Sequence, residues 1–458
     1  MRPAAHDILL VAFNARYGHC GHAVRSLLAN LGPWRDRAAF IEYDATALPF
    51  QVAADLDVRQ PRMVGFSVYL WNVRLVRETC RILALVAPRL RVVLGGPELD
   101  GAATSEWAGL ADALVIGDGE TALRDLAAAW LEQERPARPP EPVVIRAAPA
   151  AVDDLLLPAA LYREADLRQR TVYTETSRGC PGRCRYCTSC DRPLRLFPEA
   201  TVQAALSDLL DRGARQIKFL DRCFNVPEER AVALLHWLAG RGRRDLRLHF
   251  EILPGRIGPH LLDALASFPA GALHLEVGVQ TLNPDAGRRA GRPFDPAAVL
   301  RDLGALQRTG ADLHADLIAG LPGEDAASFG RGFDRLFALG LAELQVSLLK
   351  GLPGTPLLRE TAAEGLGFSP VPPYEVLFTD ALDFAGVAAL QRFARGWDLF
   401  GNRPRFRAEM DRLRTAAAAR SPFEALRALS ERVYMAEGRL HALSEERLAR
   451  HLEASLAQ

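Results

Sequence analysis

The chain contains few cysteines and few lysines for its length. Seven cysteines occur in 458 residues, an odd number, and four of them fall between residues 180 and 190. Sparse cysteines crowded into one stretch exclude a small scaffold held together by disulfides. Lysine occurs twice, at Lys218 and Lys350, so arginine carries nearly all of the positive charge, and no function follows from that bias.

Net charge and long apolar runs are also missing. The 56 basic and 56 acidic residues cancel, so nothing indicates a strongly steered polyanionic partner, although a local basic face stays possible and nucleic-acid binding is left open. No stretch of about 18 uncharged apolar residues occurs, which predicts no membrane span. Residues Met1–Asp7 lead into an apolar run rather than a secretory h-region, so we expect a cytoplasmic protein.

Three cysteines, Cys180, Cys184 and Cys187, stand in the spacing C-x3-C-x2-C. An iron–sulfur cluster needs four ligands to be closed, and these cysteines supply three thiolates. One iron therefore has an open coordination position, as a catalytic metal site does. A structural zinc site is the alternative, but zinc favours paired C-x2-C knuckles with a second pair elsewhere. A redox-active cluster is therefore the favoured interpretation. Cys190 and Cys223 are either further thiols near this site or small buried residues without a function.

The first 130 residues alternate apolar runs with amphipathic stretches such as Leu75–Ala87. The runs are Asp7–Phe13, Ala39–Tyr43, Met63–Tyr69, Arg91–Gly95 and Ala113–Gly117. Near-continuous apolar strands are typical of a parallel sheet buried on both faces, and the β-α-β-α order predicts a doubly wound, Rossmann-like α/β domain. Ligands of such domains bind at the carboxyl ends of the strands.

A second series of strand-like runs begins at about Arg170, after a proline-rich break at Glu134–Pro142. The runs are Thr171–Ser177, Gln216–Leu220, Arg247–Ile252, Ala272–Val279, Asp312–Ile318 and Glu343–Leu349. Helical segments separate them, for example Ala200–Arg212 and Ala297–Thr309, with Gly213 and Gly310 expected just beyond their ends. Six such units predict an incomplete parallel barrel, a partial (β/α)6 barrel, with its chemistry at the strand carboxyl ends. Residues 380–458 are predicted to be helical.

The cysteine spacing, with Tyr186 just before the last cysteine, resembles the radical S-adenosylmethionine (radical SAM) superfamily, in which SAM chelates the fourth iron of a [4Fe–4S] cluster. The resemblance covers the second strand series and implies roles at successive strand ends. Asp221 would hold the SAM amino group in place of the Gly-Gly-Glu that many members have, unless it simply pairs with Arg222. Glu251 would accept the ribose hydroxyls, Ile318 and Gly320 would face the adenine, and Lys350 would face the substrate. Glu276 and Gln280 share one strand face, where a charged group needs a ligand or a partner.

The first domain is similar to the cobalamin-binding domain that precedes many such barrels. The matching residues, which we expect to contact cobalamin, are Asn14, Arg16, Tyr17, His19, Ser67, Tyr69, Trp71, Gly95, Gly96, Glu98, Gly117, Gly119 and Glu120. The Asp-x-His-x-x-Gly motif that supplies an axial histidine to cobalt is absent, so the resemblance implies cobalamin without a protein axial ligand. Arg16 or His19 would then lie under the cobalt; alternatively, His19 and His22 are loop or helix-cap residues, or the domain has lost its cofactor.

A third resemblance concerns the end of the chain. Leu349–Thr355, Pro372–Val376 and Gly401–Arg403 look like the C-terminal domain of unknown function, DUF4080-like, that accompanies one subfamily of B12-binding radical SAM proteins. The predicted domains are therefore a cobalamin-binding domain at 1–135, a linker at 136–169, a radical SAM barrel at 170–352 and a mostly helical domain at 353–458.

The resemblance implies a radical SAM methyltransferase that uses a [4Fe–4S] cluster, SAM and cobalamin to methylate an unactivated carbon. The substrate would be a small molecule, a peptide or a nucleoside, and an external reductant of the flavodoxin or ferredoxin type would be needed. The first alternative is a radical SAM enzyme without working cobalamin, for example one that performs thiolation or a rearrangement. The second is an RNA-modifying enzyme whose arginine-containing tail binds RNA, although the acidic residues of that tail favour a solvated helix face.

Overall fold

The computed structural model describes residues 6–101, 103–133, 138–416 and 421–456. Met1–Ala5 and Glu134–Ala137, which include the start of the proline-rich break and the predicted boundary at 135, lie outside the described residues. The chain falls into two compact units. Unit 1 comprises Met1–Arg178, Leu194–Leu220 and Leu352–Gly354, and unit 2 comprises Gly179–Pro193, Asp221–Gly351 and Thr355–Gln458.

Unit 1 opens with a six-stranded parallel sheet in the order β2-β1-β3-β4-β5-β6. Its elements are β1 (Ile8–Asn14), α1 (His22–Ala29), β2 (Ala38–Asp44), α2 (Pro49–Arg59), β3 (Met63–Ser67), α3 (Val73–Val86), β4 (Arg91–Gly95), β5 (Ala113–Ile116), α4 (Gly119–Leu131) and β6 (Val143–Arg146). Every residue of β1 and β3 is buried, as the continuous apolar runs predict. The strand order reverses around β1, which is the arrangement of a doubly wound fold.

Two hydrophobic cores cover the two faces of this sheet. One face buries Leu9, Val11 and Phe13 against α2 and α3, and the other buries Ile8 and Leu10 against α1 and α4. Alternate residues of one strand thus serve opposite cores, as strand geometry requires. The sheet is therefore fixed from both sides, and its strand ends are held at defined positions.

The rest of unit 1 leads to the second strand series. Its elements are α5 (Glu164–Gln169), β7 (Val172–Thr174), β8 (Ser177–Arg178), β9 (Arg195–Leu196), α6 (Glu199–Asp211) and β10 (Gln216–Phe219). β7 and β10 pair in parallel, and β8 and β9 pair antiparallel. The strand expected at Thr171–Ser177 is thus divided into two short pieces. Gly213 lies two residues beyond the end of α6 with a φ of +88°, as expected for a residue that follows a helix.

Unit 2 contains four parallel strands in the order β14-β13-β12-β11. Its first elements are α7 (Glu228–Gly240), β11 (Arg247–Ile252), α8 (Pro259–Ala266), β12 (Leu273–Gln280), α9 (Pro284–Arg289), α10 (Pro296–Gln307), β13 (Asp312–Ala319), α11 (Ala326–Phe337) and β14 (Glu343–Leu348). In β12, buried residues alternate with half-buried ones, so His274, Glu276 and Gln280 share the less buried face, as their spacing predicts.

The remaining elements of unit 2 are mostly helical. They are α12 (Pro356–Arg359), α13 (Thr361–Glu364), β15 (Gly367–Phe368), β16 (Val376–Phe378), α14 (Phe384–Phe400), α15 (Arg407–Ala416), α16 (Pro422–Glu437) and α17 (Glu445–Leu456). The small antiparallel pair of β15 and β16 was not predicted. An aromatic cluster of Phe333, Phe393, Trp397 and Phe423 packs α11, α14 and α16 together.

The observed layers confirm the predicted α/β fold class, with a Rossmann-like first domain, parallel barrel-type strands and a helical C-terminal region. The helices of the described residues include none with the length and hydropathy of a membrane span. One arginine of the tail is engaged within the fold, since Arg414 donates hydrogen bonds to Asp411 and to the carbonyl oxygen of Phe337. These pairs agree with a solvated, structural helix face.

Candidate cofactor sites

The cysteine loop of unit 2, residues 179–193, is closed at its base. The amide of Cys180 donates a hydrogen bond of 3.0 Å to the carbonyl oxygen of Arg192. Gly179 has a φ of +88°, and a Cβ atom there would lie 2.2 Å from the carbonyl oxygen of Pro193. Only glycine tolerates both constraints, so Gly179 fixes the start of the loop just before the first cysteine.

Each of the three motif sulfurs accepts a hydrogen bond. The donors are the amide of Gly182 to Cys180 Sγ at 3.3 Å, the amide of Ser189 to Cys187 Sγ at 3.4 Å, and Nη1 of Arg292 to Cys184 Sγ at 3.8 Å. Such donors stabilise thiolate charge, and hydrogen bonds to cluster sulfurs are one means by which a protein sets a cluster potential. The residues present therefore fit a three-thiolate cluster site.

Cys223 lies against the first cysteine of the motif. It is fully buried, and its thiol hydrogen-bonds with Cys180. This contact lowers the pKa of Cys180 to about 6, and the amide of Gly182 and the guanidinium of Arg292 act in the same direction against the effect of burial. The structure thus places Cys223 beside the site, where the sequence left its role open.

The Tyr186 ring is half-buried beside the cysteines, and its hydroxyl group is buried. Burial, and then the charge of Cys184, raises the pKa of this phenol well above its ordinary value, and a hydrogen bond with Cys184 acts in the same direction. Tyr186 therefore stays a neutral donor beside the second cysteine of the motif.

The loop that begins at Asp221 meets the end of β11. The amide of Phe224 donates a hydrogen bond of 2.9 Å to the carbonyl oxygen of Glu251, and the rings of Phe224 and Phe250 lie 4.1 Å apart. Arg222 places Nη1 3.6 Å from a carboxylate oxygen of Glu251. Asp221, the residue expected to hold the SAM amino group, is 1% exposed. Within unit 2, the loop that contains Asp221 is thus held against the strand residue Glu251.

The end of β12 is irregular. Gln280 has a φ of +71°, and the register with β13 shifts between Gly278 and Gln280. The carbonyl oxygen of Gly278 accepts a hydrogen bond from Arg292, the same guanidinium that contacts Cys184. Glu276 accepts a hydrogen bond of 2.8 Å from His249, so its charge has a protein partner. Bulges of this kind often lie next to binding sites, where they redirect a side chain.

The remaining predicted barrel residues are Ile318 within β13, Gly320 just after it and Lys350 after β14. Gly320 has a φ of +88°, and a Cβ atom there would lie 2.8 Å from Val376, so packing alone requires this glycine. Lys350 forms an isolated antiparallel bridge with Glu375. Ile318 and Lys350 are half-buried. Their predicted roles toward adenine and substrate stay predictions.

A stacked aromatic pair, half-buried Tyr69 and exposed Trp71, follows the end of β3 in the first domain. Tyr69 and Trp71 stack with ring centroids 4.5 Å apart and an interplanar angle of 5°. Trp71 is 51% exposed, although its Nε1 donates a hydrogen bond of 2.8 Å to the carbonyl oxygen of Phe13 at the end of β1. This flat apolar platform, which is fixed by a backbone contact, suits a large planar ligand.

The loop after β1 is anchored at both sides. Asn14 donates a hydrogen bond of 2.9 Å to Glu42, and His19 Nδ1 lies 2.6 Å from the hydroxyl of Tyr173. Between them, Arg16 and Tyr17 are exposed. His22 is the first residue of α1 and follows the N-cap residue Gly21, and its ring lies 3.4 Å from Glu175 rather than capping the helix.

Packing within the fold requires two glycines of the glycine-rich turns. A Cβ atom on Gly96 would lie 2.2 Å from the carbonyl oxygen of Val68, and one on Gly117 would lie 2.7 Å from that of Ala147. Gly95 meets nothing closer than 3.8 Å, so backbone approach by a ligand is open there. The other predicted contacts in these turns are buried Ser67, buried Glu98 and half-buried Gly119.

Glu120 belongs to a buried ion network. It accepts hydrogen bonds of 2.7 Å from Ser26 and from Arg178, and Arg178 also donates to Glu175 at 2.7 Å. Burial raises the pKa of Glu175, but hydrogen bonds from His22 and Arg178 outweigh it and lower that pKa to about 2. Glu120 is therefore engaged within the protein, and Arg178 is a structural residue that the sequence did not single out.

Family models match the two domains that contain these candidate sites. The B12 binding domain matches residues 14–127, and the radical SAM superfamily matches residues 174–335. The chain is a B12-binding radical SAM protein. The predicted recognition and the cofactor set of a [4Fe–4S] cluster, SAM and cobalamin are thereby confirmed. The DUF4080-like subfamily stays a prediction, as do the domain boundaries and the individual site residues.

Curated relatives of this B12-binding radical SAM protein are named for two kinds of activity. It is 28% identical over 267 residues to ribosomal protein uS12 methylthiotransferase RimO of Moorella thermoacetica, covering 55% of this chain and 58% of that protein. It is 26% identical over 360 residues to the cobalamin-dependent radical SAM methyltransferase TokK of Streptomyces tokunonensis, covering 71% of this chain and 52% of that protein. The chain thus spans between half and three fifths of the length of these two relatives.

Solved structures share the fold over most of the chain. The radical SAM methyltransferase TsrM from Kitasatospora setae, with cobalamin and a [4Fe–4S] cluster bound, has a TM-score of 0.61 at 18% identity, covering 80% of this chain and 78% of that one. The cobalamin-dependent radical SAM enzyme OxsB with aqua-cobalamin bound has a TM-score of 0.68 at 14% identity, covering 98% and 79%. At these identities the likeness is one of fold.

Proposed function

We propose that this protein is a cobalamin-dependent radical SAM methyltransferase that acts on an unactivated carbon of a small-molecule, peptide or nucleoside substrate. The observation that carries the proposal is the loop with three hydrogen-bonded cysteine sulfurs in a chain that also has a B12 binding domain. The TokK and TsrM relatives, both named as methyltransferases, support the reaction class.

The protein's own part in this chemistry is to hold cofactors and exclude solvent. When bound, the cofactors supply a carbon-centred oxidant that removes hydrogen from the substrate and a transferable methyl group. Cys180, Cys184 and Cys187 would ligate the cluster, leaving one iron for SAM. Glu251 would orient the SAM ribose, and Trp71 with Tyr69 would support the corrin.

Methylthiotransfer is the second candidate, because RimO relatives bear that activity in their name. A sulfur donor or a second cluster requires ionised thiols. Outside the cysteine loop, Cys20, Cys80 and Cys223 are buried, and burial raises the pKa of both Cys20 and Cys80 to about 12. These three thiols therefore favour methylation over thiolation.

The first test is anaerobic reconstitution with iron, sulfide and hydroxocobalamin, followed by metal analysis and ultraviolet–visible spectra. We expect about four iron atoms per chain, as a [4Fe–4S] cluster requires, together with about one cobalt in a base-off spectrum. With SAM and a low-potential reductant, 5′-deoxyadenosine should require the cluster, and S-adenosylhomocysteine should require cobalamin. The matched control is the same protein reconstituted without hydroxocobalamin.

Retention of four iron atoms without cobalt would reject the methyltransferase and favour a radical SAM enzyme with a vestigial first domain. Equal S-adenosylhomocysteine with and without cobalamin would also reject it. The proposal includes an external flavodoxin- or ferredoxin-type reductant and a reducing, cytoplasmic compartment, since a solvent-accessible cluster is destroyed by oxygen. RNA that co-purifies at low salt would instead support the RNA-modifying alternative.

A further inference from the structure

Three metal-binding side chains meet at the amino ends of neighbouring strands in unit 2. His274 is the second residue of β12, His314 the third of β13 and Glu343 the first of β14. One donor atom from each lies within 4.8 Å of the others. The parallel register aligns His314 with Glu343, so adjacent strands bring these groups together although 69 positions separate His274 from Glu343 in the sequence.

The ring of His314 is held by a carboxylate. His314 is 8% exposed, and its Nε2 lies 3.2 Å from Oδ1 of Asp316, which is its ion-pair and hydrogen-bond partner. A carboxylate that bonds to one ring nitrogen is the usual means of orienting a metal-bound histidine. Asp316 thus leaves the other ring nitrogen, Nδ1, as the donor for an ion.

The spacing of the donors suits one small ion. Nδ1 of His314 lies 3.7 Å from Oε2 of Glu343, which is too long for a hydrogen bond. Bonds of 2.0–2.2 Å at a tetrahedral angle place two zinc ligands about 3.3–3.6 Å apart. The ring of His274 is aligned by its neighbour, since it lies 4.5 Å from the ring of His249, which in turn is bonded to Glu276.

We propose that His274, His314 and Glu343 form a binding site for a divalent first-row transition metal, with Zn²⁺ as the expected ion. Two imidazoles and one carboxylate are a donor set that zinc accepts, with a fourth position left to water. The site is separate from the cysteine loop. Arg292, which contacts Cys184, bonds to Gly278, and Gly278 is four residues, or about 13 Å, along β12 from His274. A metal here would bind three parallel strands together at their amino ends and stabilise the fold.

The test is zinc analysis of the full-length, cluster-reconstituted protein after incubation with Zn²⁺ and dialysis against a weak chelator. We expect one zinc per chain in the parent protein, and a loss of at least tenfold in His274→Asn and in Glu343→Gln. Glu343 has a side chain that is 42% exposed, so its substitution spares the fold even if changes at buried His314 do not. His260→Asn, an exposed histidine on α8, is the matched control and should keep the zinc.

Two further measurements distinguish this site from zinc bound by the cysteine loop and from loose zinc on the surface. In the full-length variant with Cys180, Cys184 and Cys187 all changed to serine, the zinc should remain, because these thiolates are not its ligands. The thermal midpoint of the parent should rise when Zn²⁺ is added, since a ligand of the native state stabilises it, and this rise should vanish in Glu343→Gln. No retained zinc in the parent, equal zinc in parent and Glu343→Gln, or loss of zinc in the cysteine variant would each overturn the proposal.

Discussion

The guanidinium of Arg292 hydrogen-bonds to Sγ of Cys184 across 108 positions of sequence. The same side chain donates to the carbonyl oxygen of Gly278 at the irregular end of β12. Arg292 therefore couples the cysteine loop to the strand that carries Glu276 and Gln280. A cation at this position stabilises negative charge on the cluster ligands and, on reduction, on the cluster itself.

Arg292→Ala should make the cluster harder to reduce. The lost charge-assisted hydrogen bond corresponds to a shift on the order of 60 mV to more negative potential for a one-electron couple. The measurement is a reductive titration of the reconstituted protein followed by electron paramagnetic resonance. Arg288→Ala, which removes an exposed ion pair with Asp285 from the nearby helix α9, is the control and should leave the potential unchanged. An unshifted potential in Arg292→Ala at full iron content would contradict the coupling.

Cluster binding should depend on three cysteines of the loop and not on the fourth. Alanine at Cys180, Cys184 or Cys187 removes one of three thiolate ligands, so iron retention should fall well below four per chain. Cys190→Ala, in the same loop, should retain the full cluster. Iron and sulfide analysis after anaerobic desalting checks this. If Cys190→Ala lost the cluster and Cys187→Ala kept it, the ligand assignment would be wrong.

Trp71→Ala should weaken cobalamin binding by about tenfold or more, because it removes a planar contact of the kind worth about 0.5–1.5 kcal/mol beyond its buried area. The measurement is a titration with hydroxocobalamin followed by absorbance. Leu85→Ala, which shortens an exposed side chain near the far end of α3, is the matched control. Unchanged affinity in Trp71→Ala would remove the aromatic platform from the cobalamin site.

Arg178→Ala should destabilise unit 1 by about 3–5 kcal/mol, since it leaves the buried carboxylates of Glu175 and Glu120 without their cation. Arg168→Ala, which removes an exposed pair with Glu164, should cost less than about 1 kcal/mol. Denaturant unfolding at a single pH measures the free energy of unfolding of both variants. Equal losses in the two variants would mean that the buried network carries no special stability.

The same network predicts a pH dependence. The pKa of Glu175 falls from 4.5 to about 2 on folding, so this group contributes stability that is present above pH 4.5 and is lost as the pH falls toward 2. By linkage the contribution is about 3 kcal/mol. Glu175→Gln should therefore flatten the decline of unfolding free energy between pH 4.5 and 2. A decline as steep as in the parent would contradict the assignment.

Much of the fold could be predicted from local patterns. The runs at Arg91–Gly95 and Arg247–Ile252 match β4 and β11 residue for residue, because a strand buried on both faces is apolar throughout and a strand buried on one face alternates regularly. β15 and β16 were missed because each is three residues or shorter, which is too short for a period to be visible. The strand at Thr171–Ser177 was placed correctly but predicted as continuous, because its interruption depends on pairing partners that lie far along the chain.

The sequence by itself determined the cysteine spacing, the aromatic residue beside it, the parallel strands and hence the two cofactor domains, since each is written in adjacent residues. The tertiary structure decided which distant groups meet: Cys223 against Cys180, Arg292 against Cys184, and Arg178 against Glu120. It also decided the cluster of His274, His314 and Glu343, whose members look unrelated in the sequence. The physical reason is that hydrogen bonds and ion pairs act over a few ångströms, and the register of folded strands, not the sequence separation, sets those distances.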